Sequence, residues 1–384
     1  MKLSKATERI EPSLTRQLFD EAKKYSNVID FTLGDPDYPT PDKIKAAGCK
    51  AINDGKTRYS ANAGLPELRK VISDRIYKES AVNYNPDGEI LISVGAMEGL
   101  YLSLLCMIDE GDEVIIPAPY WINYRHMVEM CGGIPIIVES DEEHDFICKA
   151  EDIEAAITDK TAAVIINSPN NPTGTVYDRE TLKKLSKLAK EKDFAVIWDE
   201  CYKSIIYDEF VSILEFEDMK DYTVLINSCS KKFSMTGWRV GYVAAPHELI
   251  ACMTKFQENI VACASLPSQY AAIEAFSADD SIADNILGGF KNRRRVFIDG
   301  INKINKLSCK YPKGTFYAFV NIKETGMGSV DFAYRLLESK QVAVVPGITY
   351  GECCEGYIRA AYTIDESEIT EGLRRISEFI KELG

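Results

Sequence analysis

From residue 89 onward the chain repeats one pattern. A short run rich in Val and Ile is followed by a stretch with helical spacing, and then by another run. The runs fall at 89–94, 113–117, 134–139, 162–168, 195–198, 223–227 and 240–244. They are nearly continuous in apolar residues rather than alternating, as strands covered on both faces are. The stretch 181–192 reads as a helix between two of them. This alternation predicts an α/β fold: a mostly parallel, seven-stranded sheet covered by helices. Ligands of such sheets collect beyond the carboxyl ends of the strands, so polar residues at those ends carry the functional argument.

The flanking regions read differently. Residues 14–25 have helical spacing, and 31–40 form an irregular loop broken by Gly34, Pro36 and Pro39. Helices follow at 41–54 and 65–79. The second opens on Gly64-Leu65-Pro66-Glu67, where proline suits a first helical turn. Toward the end, 280–306 reads as one long charged helix and 313–322 as a strand. Helix 330–340, strands 341–345 and 357–361, and a closing helix 366–383 complete a smaller α+β domain beginning near 279.

Lys and Arg number 45 against 59 Asp and Glu, a net charge of −14. That argues against nucleic acid, whose phosphates need basic patches. Residues 1–9 are polar and lack the apolar centre of a signal peptide. No run approaches the roughly 18 apolar residues of a membrane span. The eleven cysteines are scattered, with no C-x-x-C pair and one adjacent pair, Cys353-Cys354. They read as reduced thiols of a cytoplasmic protein rather than a disulfide framework. His126, His144 and His247 lie far from any cysteine cluster, so no metal is expected.

The most unusual chemistry follows the run at 223–227, in Ser228-Cys229-Ser230-Lys231-Lys232-Phe233-Ser234-Met235-Thr236-Gly237-Trp238-Arg239-Val240-Gly241. A lysine used as a covalent amine must be partly deprotonated, which takes desolvation or a cationic neighbour. Small residues around it leave room for a flat ligand, and Arg239 is suited to grip a phosphate through a bidentate fork. A solvated basic turn would account for the same spacing. The stretch nevertheless resembles, at every defined position, the lysine signature of class I and II aminotransferases, enzymes that use pyridoxal 5′-phosphate (PLP). The resemblance implies that Lys231, not Lys232, bonds the cofactor aldehyde. It also implies that Ser228 and Arg239 hold the phosphate, with Ser230 beside them.

Other strand ends match the same family in order. Ser93-Val94-Gly95-Ala96-Met97 passes from a strand into a helix, where free N–H groups make an anion site; the family uses Gly95, Ala96 and Met97 for the cofactor phosphate. Trp121, after Pro119-Tyr120, matches an aromatic stacked on the pyridine ring. Asn167-Ser168-Pro169-Asn170-Asn171-Pro172-Thr173-Gly174 carries the family's N-P-T-G motif, in which Asn171 donates to the cofactor's 3′ oxygen. Asp199 ends a buried run, where an unpaired acid is costly. A helix cap is the plain reading; the family places this Asp at the pyridine nitrogen, with Tyr202 reaching the 3′ oxygen. Arg359, inside the run Tyr357-Ile358-Arg359-Ala360-Ala361, matches the clamp for the substrate α-carboxylate. Gly34 matches a glycine whose N–H meets that carboxylate, and Trp121 and Asn171 also border the substrate. Tyr59, in Arg58-Tyr59-Ser60-Ala61-Asn62-Ala63-Gly64, matches a tyrosine that crosses a homodimer interface to the neighbour's phosphate. Thr15, in Pro12-Ser13-Leu14-Thr15, matches a threonine near the substrate side chain. Residues 1–40 are implied to pack with the small domain 279–384 against a large cofactor domain 41–278.

Pro346-Gly347-Ile348-Thr349-Tyr350 is bulkier than the corresponding family loop, which bears on substrate choice. The expected activity is transfer of an amino group from an L-amino acid to a 2-oxo acid, with 2-oxoglutarate the expected acceptor, within amino acid metabolism. The alternative on the same fold is a carbon–sulfur β-lyase or a decarboxylase. A PLP-binding regulator would be expected to carry a DNA-binding helix-turn-helix before the segment at which this chain begins. A dinucleotide oxidoreductase or P-loop enzyme fails because neither G-x-G-x-x-G after a strand nor G-x-x-x-x-G-K-[ST] occurs.

Overall fold

A computed structural model describes residue 10 and residues 14–384. Residues 1–9 and 11–13 lie outside the described residues, and with them Pro12 and Ser13 of the segment matched above. The strands are β1 (Ile29–Asp30), β2 (Ile90–Ser93), β3 (Glu113–Pro117), β4 (Ile134–Val138), β5 (Thr161–Asn167) and β6 (Ala195–Asp199). After them come β7 (Thr223–Ser228), β8 (Gly241–Ala244), β9 (Tyr317–Asn321), β10 (Val342–Ala343), β11 (Val345–Pro346) and β12 (Tyr357–Ala361).

Seven of them form the main sheet, in the order β2-β8-β7-β6-β5-β3-β4. Only β8 runs against the rest, antiparallel to both β2 and β7. The runs read from sequence fall on these strands within a residue or two at each end. Their apolar continuity has the expected cause. Ile92, Ile115, Val164, Val196 and Leu225 pack into a core on one face. Their neighbours Leu91, Val114, Ile165, Ile197 and Ile226 pack into a second core on the other. Each such side chain contributes about 1.5–3 kcal/mol on burial.

Because β2, β3, β5, β6 and β7 are parallel, Ser93, Pro117, Asn167, Asp199 and Ser228 all end at one edge of the sheet. Reversed β8 begins at that same edge, which brings the preceding Arg239 to it. A third core joins Leu18, Ala22, Ile29 and Phe31 to Phe297, Phe316, Phe332, Leu336 and Ile376.

Three C-terminal expectations need correction. The helix read at 280–306 is a tight turn, Asp280–Ala283, capped by Asp279, followed by a helix Asp284–Ile301. The strand read at 313–322 is shorter. Thr315 has φ +64°, and the N–H groups of Gly314 and Thr315 donate to Gly174 and Ile205 instead of to a neighbouring strand. The strand read at 341–345 is two strands in two sheets. β10 pairs parallel with β1, while β11 pairs antiparallel with β12.

Candidate active site

The strand ends open into a cavity of about 370 Å³. Lys231, Asp199, Tyr202, Asn171, Trp121, Ser228, Ser230, Arg239, Arg359, Ala96, Met97, Gly34 and Thr15, all singled out from sequence, line it. Gly95 lies immediately behind: it has φ +73°, and a Cβ there would stand 2.5 Å from Arg239 Nη2. Tyr59 does not line the cavity of its own chain and is 86% exposed.

At one end of the cavity is an anion cradle. No side chain caps the helix that begins at Gly95, so its first N–H groups, at the positive end of the helix dipole beside the cavity, are left for an outside acceptor. Arg239 reaches the same place from the start of β8. Its guanidinium donates only to carbonyls, Thr236 O at 2.8 Å and Val94 O at 3.4 Å. Ser228 follows on the next strand, its Oγ accepting from Ser230 N at 3.3 Å.

In the floor, Asp199 is 5% exposed. Oδ1 accepts from Cys201 N at 3.0 Å and Oδ2 from the Tyr124 hydroxyl at 2.7 Å. Burial pushes its carboxyl above the ordinary range, opposed mainly by the Tyr124 hydrogen bond. A buried acid with raised proton affinity is suited to share a proton with a nitrogen base. Asp199 therefore caps a turn, as a plain reading of the sequence allows, but it also faces the cavity. Trp121 stands edge-on to Tyr124, ring centroids 5.5 Å apart.

Lys231 Nζ donates to Gly34 O at 2.6 Å, which joins the turn after β7 to the loop 31–40. That loop approaches closely only because Gly34 has no side chain; a Cβ would stand 1.9 Å from the Tyr317 hydroxyl. Tyr317 and Tyr202 share a hydrogen bond at 3.0 Å.

At the far end Arg359, 5% exposed, projects from the middle of β12. It donates to Asn171 Oδ1 at 3.2 Å and to Thr32 O, and its guanidinium lies 4.5 Å from the Tyr317 ring centroid. Its buried Nε has no partner. An orphaned donor on a buried cation marks a place for an anion. Because Asn171 Oδ1 accepts from Arg359, the Asn171 amide N–H groups are left to donate.

Tyr124, Tyr317, Thr32 and Asn167 belong to this constellation and were not found by sequence reasoning. Asn167 Oδ1 accepts from Asn171 N at 2.8 Å and so orients the Asn171 turn. It lies inside the quoted 167–174 stretch, so a signal existed. Tyr124 and Tyr317 carry no local signal.

The residues fit PLP. The cradle suits its phosphate, the buried acid its ring nitrogen, and the Asn171 amide its 3′ oxygen, with a lysine amine between.

A model of the aminotransferase class I and II family matches residues 26–376. A putative aminotransferase of Bacillus subtilis (strain 168), YugH, is 40% identical over 98% of this chain and 98% of its own. A probable aspartate/prephenate aminotransferase of Aquifex aeolicus (strain VF5) is 38% identical, with 99% of both chains covered. Among solved structures, the aspartate aminotransferase of Rhizobium meliloti superposes with a TM-score of 0.95 at 33% identity, covering 99% of both chains.

Proposed function

The chain belongs to the class I and II aminotransferase family, and from that premise we propose how its residues move an amino group from an amino acid to a 2-oxo acid. The observation that carries the reading is the convergence of Lys231, Asp199, Asn171, Arg239 and Arg359 on one cavity. Members of the family use PLP, whose ring, when bound, draws electrons from the bonds at the substrate Cα. Arg239, Ser228 and the N–H groups of Gly95, Ala96 and Met97 hold the phosphate. Trp121 fixes the ring plane, Asn171 and Tyr202 meet the 3′ oxygen, and Asp199 holds a proton at the ring nitrogen. Arg359 grips the α-carboxylate with its unpartnered Nε, the Gly34 N–H donates to the same carboxylate, and Thr15 borders the side chain. Lys231 Nζ is then the base that takes the substrate's Cα proton. A positioned proton-transfer group of this kind contributes about 10²–10⁴-fold in rate.

A three-part organisation belongs to the same reading: residues 1–40 with the small domain 279–384, packed against a large domain 41–278. The core shared by Leu18, Phe31 and Phe297 supports it. A homodimer belongs to the same reading. Tyr59 projects into solvent beside an apolar patch of Phe256, Ile260 and Val261. The two segments are tied by Asn62 Nδ2 donating to Ala262 O at 2.9 Å. A second copy seated there would cover the patch and receive Tyr59 at its own phosphate cradle. A cytoplasmic location is supported by eleven unpaired thiols. Among the described residues no helix is long and apolar enough to cross a membrane.

A panel of amino donors with 2-oxoglutarate as first acceptor tests the activity. Borohydride treatment of the PLP-loaded protein tests the lysine, and it should fix the cofactor on Lys231 alone. Label on Lys232 would overturn the assignment. Pyruvate released from cysteine thioethers without an acceptor would favour the lyase chemistry instead.

A further inference from the structure

Cys353 and Cys354 are consecutive in the single turn Glu352–Cys354, between β11 and β12. Neighbours in a helical turn do not normally face each other, yet the two sulfurs lie 3.7 Å apart, in hydrogen-bond contact. Among the described residues no other pair of cysteine sulfurs is in such contact. The two thiols are unequal. Cys353 is half-buried and reachable, whereas Cys354 is fully buried directly behind it.

We propose that Cys353 and Cys354 form a reversible oxidation site for hydroperoxides, with Cys353 the attacking thiol and Cys354 the resolving one. In the first step Cys353 sulfur takes the outer peroxide oxygen. The O–O bond breaks, and the departing alkoxide leaves as an alcohol, or as water from hydrogen peroxide. In the second step Cys354 sulfur attacks that sulfenic sulfur, the S–O bond breaks, and the oxygen leaves as water with the Cys354 proton. The dithiol loses two electrons and the peroxide gains two. The burial difference supports this division, since a peroxide can meet the half-buried Cys353 sulfur but not the buried Cys354 sulfur behind it. A reachable thiol beside a resolving thiol is what peroxide-sensitive sites require.

The product is easily reduced. Adjacent Cα atoms stand about 3.8 Å apart across a trans peptide, short of the roughly 4.4–6.8 Å that unstrained disulfides span. A strained bond is a labile one, open to exchange with cellular thiols.

Oxidation would reach the cavity through Tyr350. Cys354 Sγ donates to Tyr350 O at 3.5 Å, and the same carbonyl accepts from Tyr120 N at 3.1 Å, one residue before Trp121. The Tyr350 ring centroid lies 5.4 Å from the Arg359 guanidinium. Closing the sulfur ring removes the Cys354 donor and moves the turn behind Arg359. The expected result is a several-fold rise in KM for the amino donor with kcat little changed. This consequence rests on Arg359 being the carboxylate clamp; the sulfur chemistry does not.

The test is to expose the PLP-loaded protein to hydrogen peroxide, alkylate the remaining thiols and weigh the peptide containing both cysteines. It should lose two hydrogens and regain them with dithiothreitol. Cys354→Ser should instead accumulate a sulfenic acid on Cys353 that dimedone traps, and Cys353→Ser, at a half-exposed position, should form neither product. Both thiols remaining alkylatable while the exposed Cys49 and Cys252 oxidise would overturn the site. A disulfide that forms without changing KM would overturn the link to Arg359 and leave the oxidation site standing.

Discussion

Asp199 shows how little of a residue's role lies in the residue itself. It is a carboxylate at the end of β6, held by one hydroxyl and one backbone N–H, with its proton affinity raised by burial. In the proposed function it shares a proton with the cofactor nitrogen, and replacing it would remove that group. Asp199→Ala is expected to retain part of the bound cofactor and lose roughly 10²–10³-fold in kcat, the usual cost of removing one preorganised electrostatic group. Steady-state kinetics with saturating PLP would check this, and a kcat near wild type would remove Asp199 from the chemistry. Asp199, Lys231, Asn171 and Arg239 were legible because each sits in a short motif at a strand end, where local sequence carries both position and chemistry. Tyr124 was not legible. Its hydroxyl meets Asp199 from 75 positions away, and nothing in Asn123-Tyr124-Arg125 distinguishes it from an ordinary helical tyrosine. Tyr317 was lost for the same reason; the sequence around it shows aromatic character but no direction.

At the scale of elements, strands buried on both faces announced themselves, because burial demands the apolar runs that sequence shows. The C-terminal strands did not, because their limits are set by partners. β10 and β11 are separated by Val344 alone and belong to different sheets. What ties the elements at the rear of the site was also invisible. Glu200, next to Asp199, is buried against Lys203, and accepts from Trp198 Nε1 and Asn227 Nδ2, both at 3.2 Å. Lys203 also meets Glu79 at 2.6 Å, and Glu79 meets Arg75 at 2.7 Å. Arg75 and Lys232 share Asp280, so the chain of charges runs from the neighbour of Asp199 to the neighbour of Lys231. Breaking a buried pair on one side leaves an uncompensated charge, at about 3–5 kcal/mol. Glu200→Ala should therefore lower the unfolding free energy from urea titration by an amount in that range, seen as a lower midpoint at unchanged slope. Adding Lys203→Met should recover part of the loss, because the stranded ammonium goes with it. An unchanged midpoint in the single variant would mean that water or Glu79 already satisfies Lys203.

At the scale of the molecule, Tyr59 stands apart from the cavity of its own chain and projects from the surface, whereas the resemblance implies that it reaches a neighbour's phosphate. The shared-site reading predicts complementation. Lys231→Ala subunits supply an intact Tyr59, and Tyr59→Phe subunits supply an intact Lys231. If sites are shared, a mixed dimer has one site carrying both lesions and one carrying neither. Activity after subunit exchange should then exceed the average of the two parents. If Lys231 and Tyr59 of one chain serve the same site, one site of the mixed dimer keeps only the lysine lesion and the other only the tyrosine lesion. Activity would then equal the average. Native mass spectrometry of the mixture, with one parent isotopically labelled, shows whether exchange has occurred. Only with exchange established does an average value count against the shared site, and the apolar patch at Phe256, Ile260 and Val261 would then need a different partner.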